Sequence, residues 1–232
     1  VAQLRGYLEQ QMARIAQNIR GELEPREIIN VTCELARGDS KLRRCEPDTV
    51  LISLLQACQL GLTLQKNLGH AYIIPRKNGF LSKQAGRDVI EATFMIGVRG
   101  LIHMVRQGNP NIHNIKAVIV YREEIEVGRF DMTAGSDPRI VHQPLLDKPP
   151  IENYAGVYSI VEFKDGAKAD FEWMPRADVE KARAVSAAGE DGPWKTWPEE
   201  MIKKTVIRRH SKRLELKPEI AARIRDNEVL EM

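Results

Sequence analysis

The chain has 232 residues, 35 Lys and Arg against 32 Asp and Glu for a formal charge of +3, and 43% hydrophobic residues. That composition excludes a disordered, collagenous or membrane-embedded chain and suffices for a core in one large domain or two small ones. No apolar run approaches the roughly 20 residues that span a bilayer and no leader opens the sequence, so neither secretion nor membrane insertion is expected. The first residue is Val1, the mark expected of a chain trimmed from a longer one. Cys33, Cys45 and Cys58 form no C-x-x-C pair, which argues against a disulfide framework or structural zinc and fits a reducing cytoplasm. The histidines, His70, His103, His113, His142 and His210, show no ligand spacing, so no metal site is expected.

In chain order, apolar residues recur at helical spacing in Leu4, Leu8, Met12, Ile15 and Ile19, then in Ile28, Ile29, Val31 and Leu35. Pro25 opens the second helix and Gly38 closes it; a third follows Pro47, with Val50, Leu51, Leu54, Leu55 and Cys58 on its buried side and Gly61 ending it. From His70 the pattern changes to β-rich runs, 71–75 and 89–96, joined by the polar stretch 76–87 as a hairpin with a long tip. Residues 100–107 read as a short helix and 114–121 as a buried strand; strands 154–163 and 167–173 follow, with the turn Lys164-Asp165-Gly166 between them. Pro175 starts a helix expected to reach Ala187, and Gly189-Glu190-Asp191-Gly192-Pro193 breaks it. The last helix starts at Thr196-Trp197-Pro198-Glu199, which fits a capping box, and is expected to run to about Leu214. Helices, then strands, then helices is the order of an α+β domain.

Charge is distributed unevenly. Residues 195–213 hold seven basic and two acidic residues, +5, and the remainder sums to −2, the footprint of a polyanion partner. On the last helix Lys204, Arg208 and Lys212 line up at i, i+4 and i+8, flanked by Arg209 and Arg213, opposite Ile202, Val206, Ile207 and Leu214. Like charges at this spacing repel, a cost that phosphates would offset; a solvated face is the plain alternative. Trp194 and Trp197 beside the stripe suit stacking on single-stranded bases, or else staple the helix start to the core.

The segment 189–196 has a P-loop's first glycine and its final Lys-Thr, but Trp194 occupies the position before Lys195 that must be glycine, so nucleotide binding there is not expected. Glu162-Phe163-Lys164 with Asp137 or Asp147 upstream matches the carboxylate pattern of metal-dependent nucleases, an alternative resting on few residues. No nucleophile elbow and no locally paired cysteine points to covalent catalysis.

Gly61-Leu62, Leu68 to Pro75 (LGHAYIIP), Ile96 to Leu101 (IGVRGL), Gly192-Pro193-Trp194, Glu200 to Thr205 (EMIKKT) and Arg208-Arg209 stand in one order over about 160 residues. In that order and spacing they resemble the RecT family of phage and prophage single-strand annealing recombinases. The resemblance implies an α+β fold: N-terminal helices, a central and mainly antiparallel β-sheet with a long hairpin, and C-terminal helices packed on the sheet. It implies binding of single-stranded DNA and pairing with its complementary strand, by a homo-oligomeric ring or helical filament in the cytoplasm of a bacterial host. No ATP and no bond-breaking active site are implied, and magnesium enters only as a possible influence on DNA binding. DNA would be held mainly by its backbone in a basic groove.

By matched motif, Lys195, Lys203, Lys204, Arg208, Arg209, Lys212 and Arg213 are candidate phosphate contacts, followed by Arg76, Lys77 and Arg99. Phe80, Trp194 and Trp197 are candidates for stacking or wedging, with Leu81, Lys83 and Arg87 beside Phe80 at the hairpin tip, where a subunit contact would use the same residues. Gly97 and Gly100 would let backbone approach a strand or a phosphate. Val98 stands where relatives carry an aromatic residue, so stacking is not expected there. The expected division is an N-terminal helical segment 1–46 for subunit contacts, a DNA-binding core 47–216, and a tail 217–232. That tail would begin a segment recruiting a partner exonuclease and the host single-strand binding protein. A structural oligomer whose basic helix meets an acidic neighbour is a further alternative.

Overall fold

A computed structural model describes residues 1–21, 23–186, 192–222 and 224. The chain forms two compact units, residues 1–103 and 104–232. Each mixes helices with antiparallel sheet, so the fold is α+β.

The first unit begins with α1 (Ala2–Gln10), α2 (Met12–Asn18), α3 (Pro25–Gly38) and α4 (Pro47–Leu60). The single helix expected from Leu4 to Ile19 is divided at Gln11, whose φ of −92° and ψ of 9° leave the α region. Leu8, Ile15, Ile28, Ile29, Cys33, Leu51, Leu54, Leu55 and Cys58 form one core. α4 completes the core that α1 to α3 begin. Gly61 ends α4 in the left-handed region at φ +66°, as its position indicated.

β1 (Ala71–Lys77) and β2 (Ile90–Ile96) pair antiparallel, from Ala71 opposite Ile96 to Lys77 opposite Ile90. Alternate residues of β2 are buried, and α4 docks along it through Ser53, whose hydroxyl donates to the Ala92 carbonyl at 3.2 Å. The hairpin is thus its own two-stranded sheet and not part of one central sheet. Its tip carries α5 (Gly79–Ala85), because the Asn78 side chain accepts from the Leu81 amide at 3.0 Å and caps the turn. The unit boundary falls inside α6 (Val98–Gly108).

The second unit is built on a three-stranded antiparallel sheet ordered β3 (Ile112–Tyr121), β6 (Tyr154–Phe163), β7 (Asp170–Pro175). Between β3 and β6 lie α7 (Arg122–Glu126) and a small hairpin of β4 (Phe130–Thr133) and β5 (Arg139–His142). Periodicity gave no sign of this hairpin, since four-residue strands are too short to show it. Phe130 stacks on Trp173 with centroids 5.3 Å apart. The buried His142 imidazole lies 3.1 Å from the Glu124 carboxylate and 3.2 Å from the Tyr158 hydroxyl, fixing the small hairpin to the sheet.

α8 (Arg176–Ala184), α9 (Pro193–Thr196) and α10 (Pro198–Ser211) follow β7. α8 ends before the Ala187 expected, and residues 187–191, including the expected break at Gly189-Glu190-Asp191, lie outside the described residues. The capping box is not formed. Pro193 begins a turn of its own that takes Thr196 into α9, so Trp197 caps α10 without a side-chain bond, while Glu199 pairs with Lys148. Ile202, Val206 and Ile207 are buried under α10, which packs on β3, β6 and β7. Each such side chain contributes about 1.5–3 kcal/mol, which is what holds the helix to the sheet.

Candidate nucleic-acid interface

α10 ends at Ser211, short of the Leu214 expected, and the cations on it, with Lys212 and Arg213 in the turn that follows, fall into two stripes. Arg209 and Arg213 face acids contributed by β7 and α8. The Arg209 Nε lies 2.8 Å from Glu172 and its NH1 3.1 Å from Asp178, while Arg213 pairs with Glu172 and lies 3.4 Å from Asp170. Asp170 and Glu172 share one face of β7 because strand side chains alternate. Hydrogen bonds from Arg209 and then Lys181 hold the Asp178 carboxyl below its ordinary range. The Glu172 side chain is only 6% exposed, so its charge is tolerated because two guanidiniums meet it.

His210, fully buried between the stripes, bridges the Ser159 hydroxyl at 3.0 Å and the Asp170 carboxylate at 3.4 Å. Burial lowers its pKa, against the opposing pull of Asp170. Ser159 is itself fully buried, so this serine, histidine and aspartate join α10 to the sheet and offer no exposed nucleophile.

The other stripe lines a groove of about 270 Å³ along α8 and α10. Lys204, Arg208 and Lys212 lie along it with Met174, Trp194 and Met201, and none of the described residues lining it is acidic. Lys204 is 5% exposed, so its stem is packed and its position set. Lys203 is drawn aside by Glu200 at 3.0 Å. Lys195 is exposed on α9.

The two tryptophans separate. Trp197 is 66% exposed, whereas Trp194 is 4% exposed and stapled into the core. The Trp194 ring is therefore not presented for stacking on a base; its place is in the wall of the groove.

The first unit carries the remaining predicted cations. Arg76 stands opposite Glu91 in the hairpin register, Lys77 pairs with Asp88 at 2.6 Å, and Arg99 donates to the Asn67 carbonyl at 3.2 Å. Phe80, on α5, is 76% exposed.

The nuclease arrangement is not assembled. Glu162 is held by Lys116 at 2.8 Å, Lys164 donates to the Pro110 carbonyl at 2.6 Å, and Asp137 pairs with Lys168. Among the described residues no three His, Cys, Asp or Glu side chains lie together so as to hold a metal ion. Among them, too, no helix is long and apolar enough to cross a membrane. The three cysteines are buried free thiols, those of Cys45 and Cys58 pushed up to about 11, first of all by burial.

A family model described as RecT family matches residues 25–229. Protein RecT of Escherichia coli (strain K12) is 34% identical over 194 residues, covering 83% of this chain and 67% of that protein. The chain belongs to the RecT family.

The RecT-family match spans both units and includes every segment on which the resemblance rested. One of those segments is now explained. A Cβ built on Gly97 would lie 2.2 Å from the Gly69 carbonyl oxygen, and one on Gly100 2.0 Å from that of His70. The two glycines let the start of α6 press against the backbone leading into β1, which accounts for them by close packing. Sequence reasoning missed the acids Asp170, Glu172 and Asp178, whose signal was the alternation of acids in 170–172.

Proposed function

We propose that this RecT-family protein binds single-stranded DNA along the α8–α10 groove and anneals it to a complementary strand without nucleotide hydrolysis. Family membership supports a single-strand annealing role in recombination. The observation that carries the assignment to this groove is the convergence of Lys204, Arg208 and Lys212 along its lining. Phosphates placed there neutralise the stripe and release counterions from DNA, giving salt-sensitive binding with little sequence preference.

Strand identity is then checked by base pairing, and successive subunits of a ring or helical filament extend the groove. Phe80 and the cations of the hairpin tip act on the bases or on a neighbouring subunit. A partner exonuclease and the host single-strand binding protein engage through a C-terminal segment, and magnesium acts only by screening DNA.

The test mixes the protein with a fluorescent oligonucleotide and then its complement, without nucleotide, with and without magnesium, following energy transfer and running the products on a denaturing gel. Accelerated pairing with intact strands is expected. Absence of acceleration, or shortened strands, contradicts the proposal.

A further inference from the structure

Side chains of β1 alternate between two faces, so Ala71 and Ile73 are buried in the first unit while Tyr72 between them is 40% exposed. The Tyr72 ring rests against glycine backbone. A Cβ built on Gly97 would lie 2.9 Å from the Tyr72 Cε2, and one on Gly69 would lie 3.2 Å from the Tyr72 hydroxyl and 3.5 Å from the Arg99 Cδ. The ring thus fills space that two missing side chains leave open. Its seat is fixed, because the Gly97 amide donates to the His70 carbonyl at 2.9 Å and Gly69 holds the left-handed conformation at φ +63°.

We propose that Tyr72 is a stacking platform for one base of single-stranded DNA, a contact within the first unit and separate from the phosphate stripe of the second. The inference rests on the single-strand binding reading above. A ring already seated on backbone loses little freedom when a flat ligand covers it, so more of the stacking energy remains as affinity.

The surroundings of the ring suit a nucleotide. On the same face of the hairpin, Met95 stands opposite Tyr72 and Thr93 opposite Ile74, all three neighbours half-buried and uncharged, so the surface that continues from the ring is one for bases. At its rim the exposed Arg99, steadied by its bond to the Asn67 carbonyl at 3.2 Å, puts positive charge where the phosphate joined to a stacked base would lie. Stacking on a ring is indifferent to sequence because every base has a π-face. That tolerance is what annealing requires, since pairing with the complement must be the only check of identity.

The experiment uses the full chain and two fluorescent oligonucleotides of equal length, one with ordinary bases and one abasic throughout, with binding read by anisotropy across a salt series. Tyr72→Leu is expected to weaken binding of the ordinary strand at least about fivefold, the loss of one stacked base, with an unchanged salt slope. On the abasic strand its Kd stays within twofold of wild type, and Tyr72→Phe, which keeps the ring, stays within twofold on both. An unaltered Kd for Tyr72→Leu on the ordinary strand overturns the proposal. An equal loss on both strands also overturns it, as the mark of a backbone contact, and so does a loss that follows a change in oligomer size on sedimentation, the mark of a contact between copies of the chain. If Tyr72→Leu melts early, the wild-type protein is irradiated on an oligonucleotide carrying iododeoxyuridine, which links to a ring stacked on it. The linked peptide must then contain Tyr72 or the site is rejected. A wild-type protein that binds no single strand overturns the single-strand reading itself, whereas binding that ignores Tyr72→Leu overturns this contact alone.

Discussion

Two cationic stripes run along α10 and the turn after it, one residue apart in sequence, and do different work. Arg209 and Arg213 meet Asp170, Glu172 and Asp178 and hold the helix to β7 and α8. Lys204, Arg208 and Lys212 line a groove whose described lining residues include no carboxylate. The pattern of positive charge along a helix is thus silent about role. What decides it is whether the facing element carries acids, and that is settled by strands and helices far away in sequence.

The largest expected effect breaks the comparison at the clamp. Arg209→Ala with Arg213→Ala leaves the buried Glu172 carboxylate uncompensated, a loss of about 3–5 kcal/mol. At roughly 2–4 °C per kcal/mol for a chain of this size, the thermal midpoint falls by about 6–20 °C. Arg208→Ala with Lys212→Ala, by contrast, melts within about 3 °C of wild type and weakens single-strand binding roughly 10- to 100-fold, the range set by one to two charged contacts. Equal melting of the two double variants would erase the distinction between the stripes.

His210 sharpens the same comparison through pH. Burial lowers its folded pKa beneath the ordinary 6.5, so the unfolded chain binds the proton more readily. Its contribution is fully present above that value and is lost as pH falls through the window between the two. His70, lowered first by burial and then by His103, acts in the same direction in the other unit. The thermal midpoint is expected to fall between pH 7 and 5.5, and His210→Gln to flatten that fall; an unaltered slope contradicts the placement of His210 in the clamp. The smallest effect is at Trp197, 66% exposed beside the stripe. Trp197→Ala is expected to leave the thermal midpoint unchanged and to lower single-strand affinity, read by anisotropy, by about 1–3 kcal/mol through loss of one stacked base.

Much of this was legible in the sequence. The helices around Ile28 and Leu51, the hairpin strands and the long strand at 154–163 carried clear periodicity, and the basic block 195–213 marked the helix on which the proposed groove is built. The family followed from the order of short motifs rather than from any one of them. What escaped depended on tertiary partners. The fate of Arg209 and Arg213 is written in Asp170 and Glu172, some 40 positions earlier; the burial of Trp194 follows from where α9 lands; and β4 and β5 are too short for alternation to show. The capping box failed for a local reason, since Pro193 opened a turn that removed Thr196 from the cap position. That the hairpin forms a two-stranded sheet of its own has a tertiary cause, its packing on α4.

The most direct test of the account is the dependence of single-strand affinity on salt for wild type and for Arg208→Ala with Lys212→Ala. With about 0.7 lost per phosphate neutralised, four to six contacts give wild type a slope of log affinity on log salt of roughly −3 to −4, and the double variant should be flatter by about 1.4. A slope and affinity indistinguishable from wild type would show that DNA does not lie in this groove.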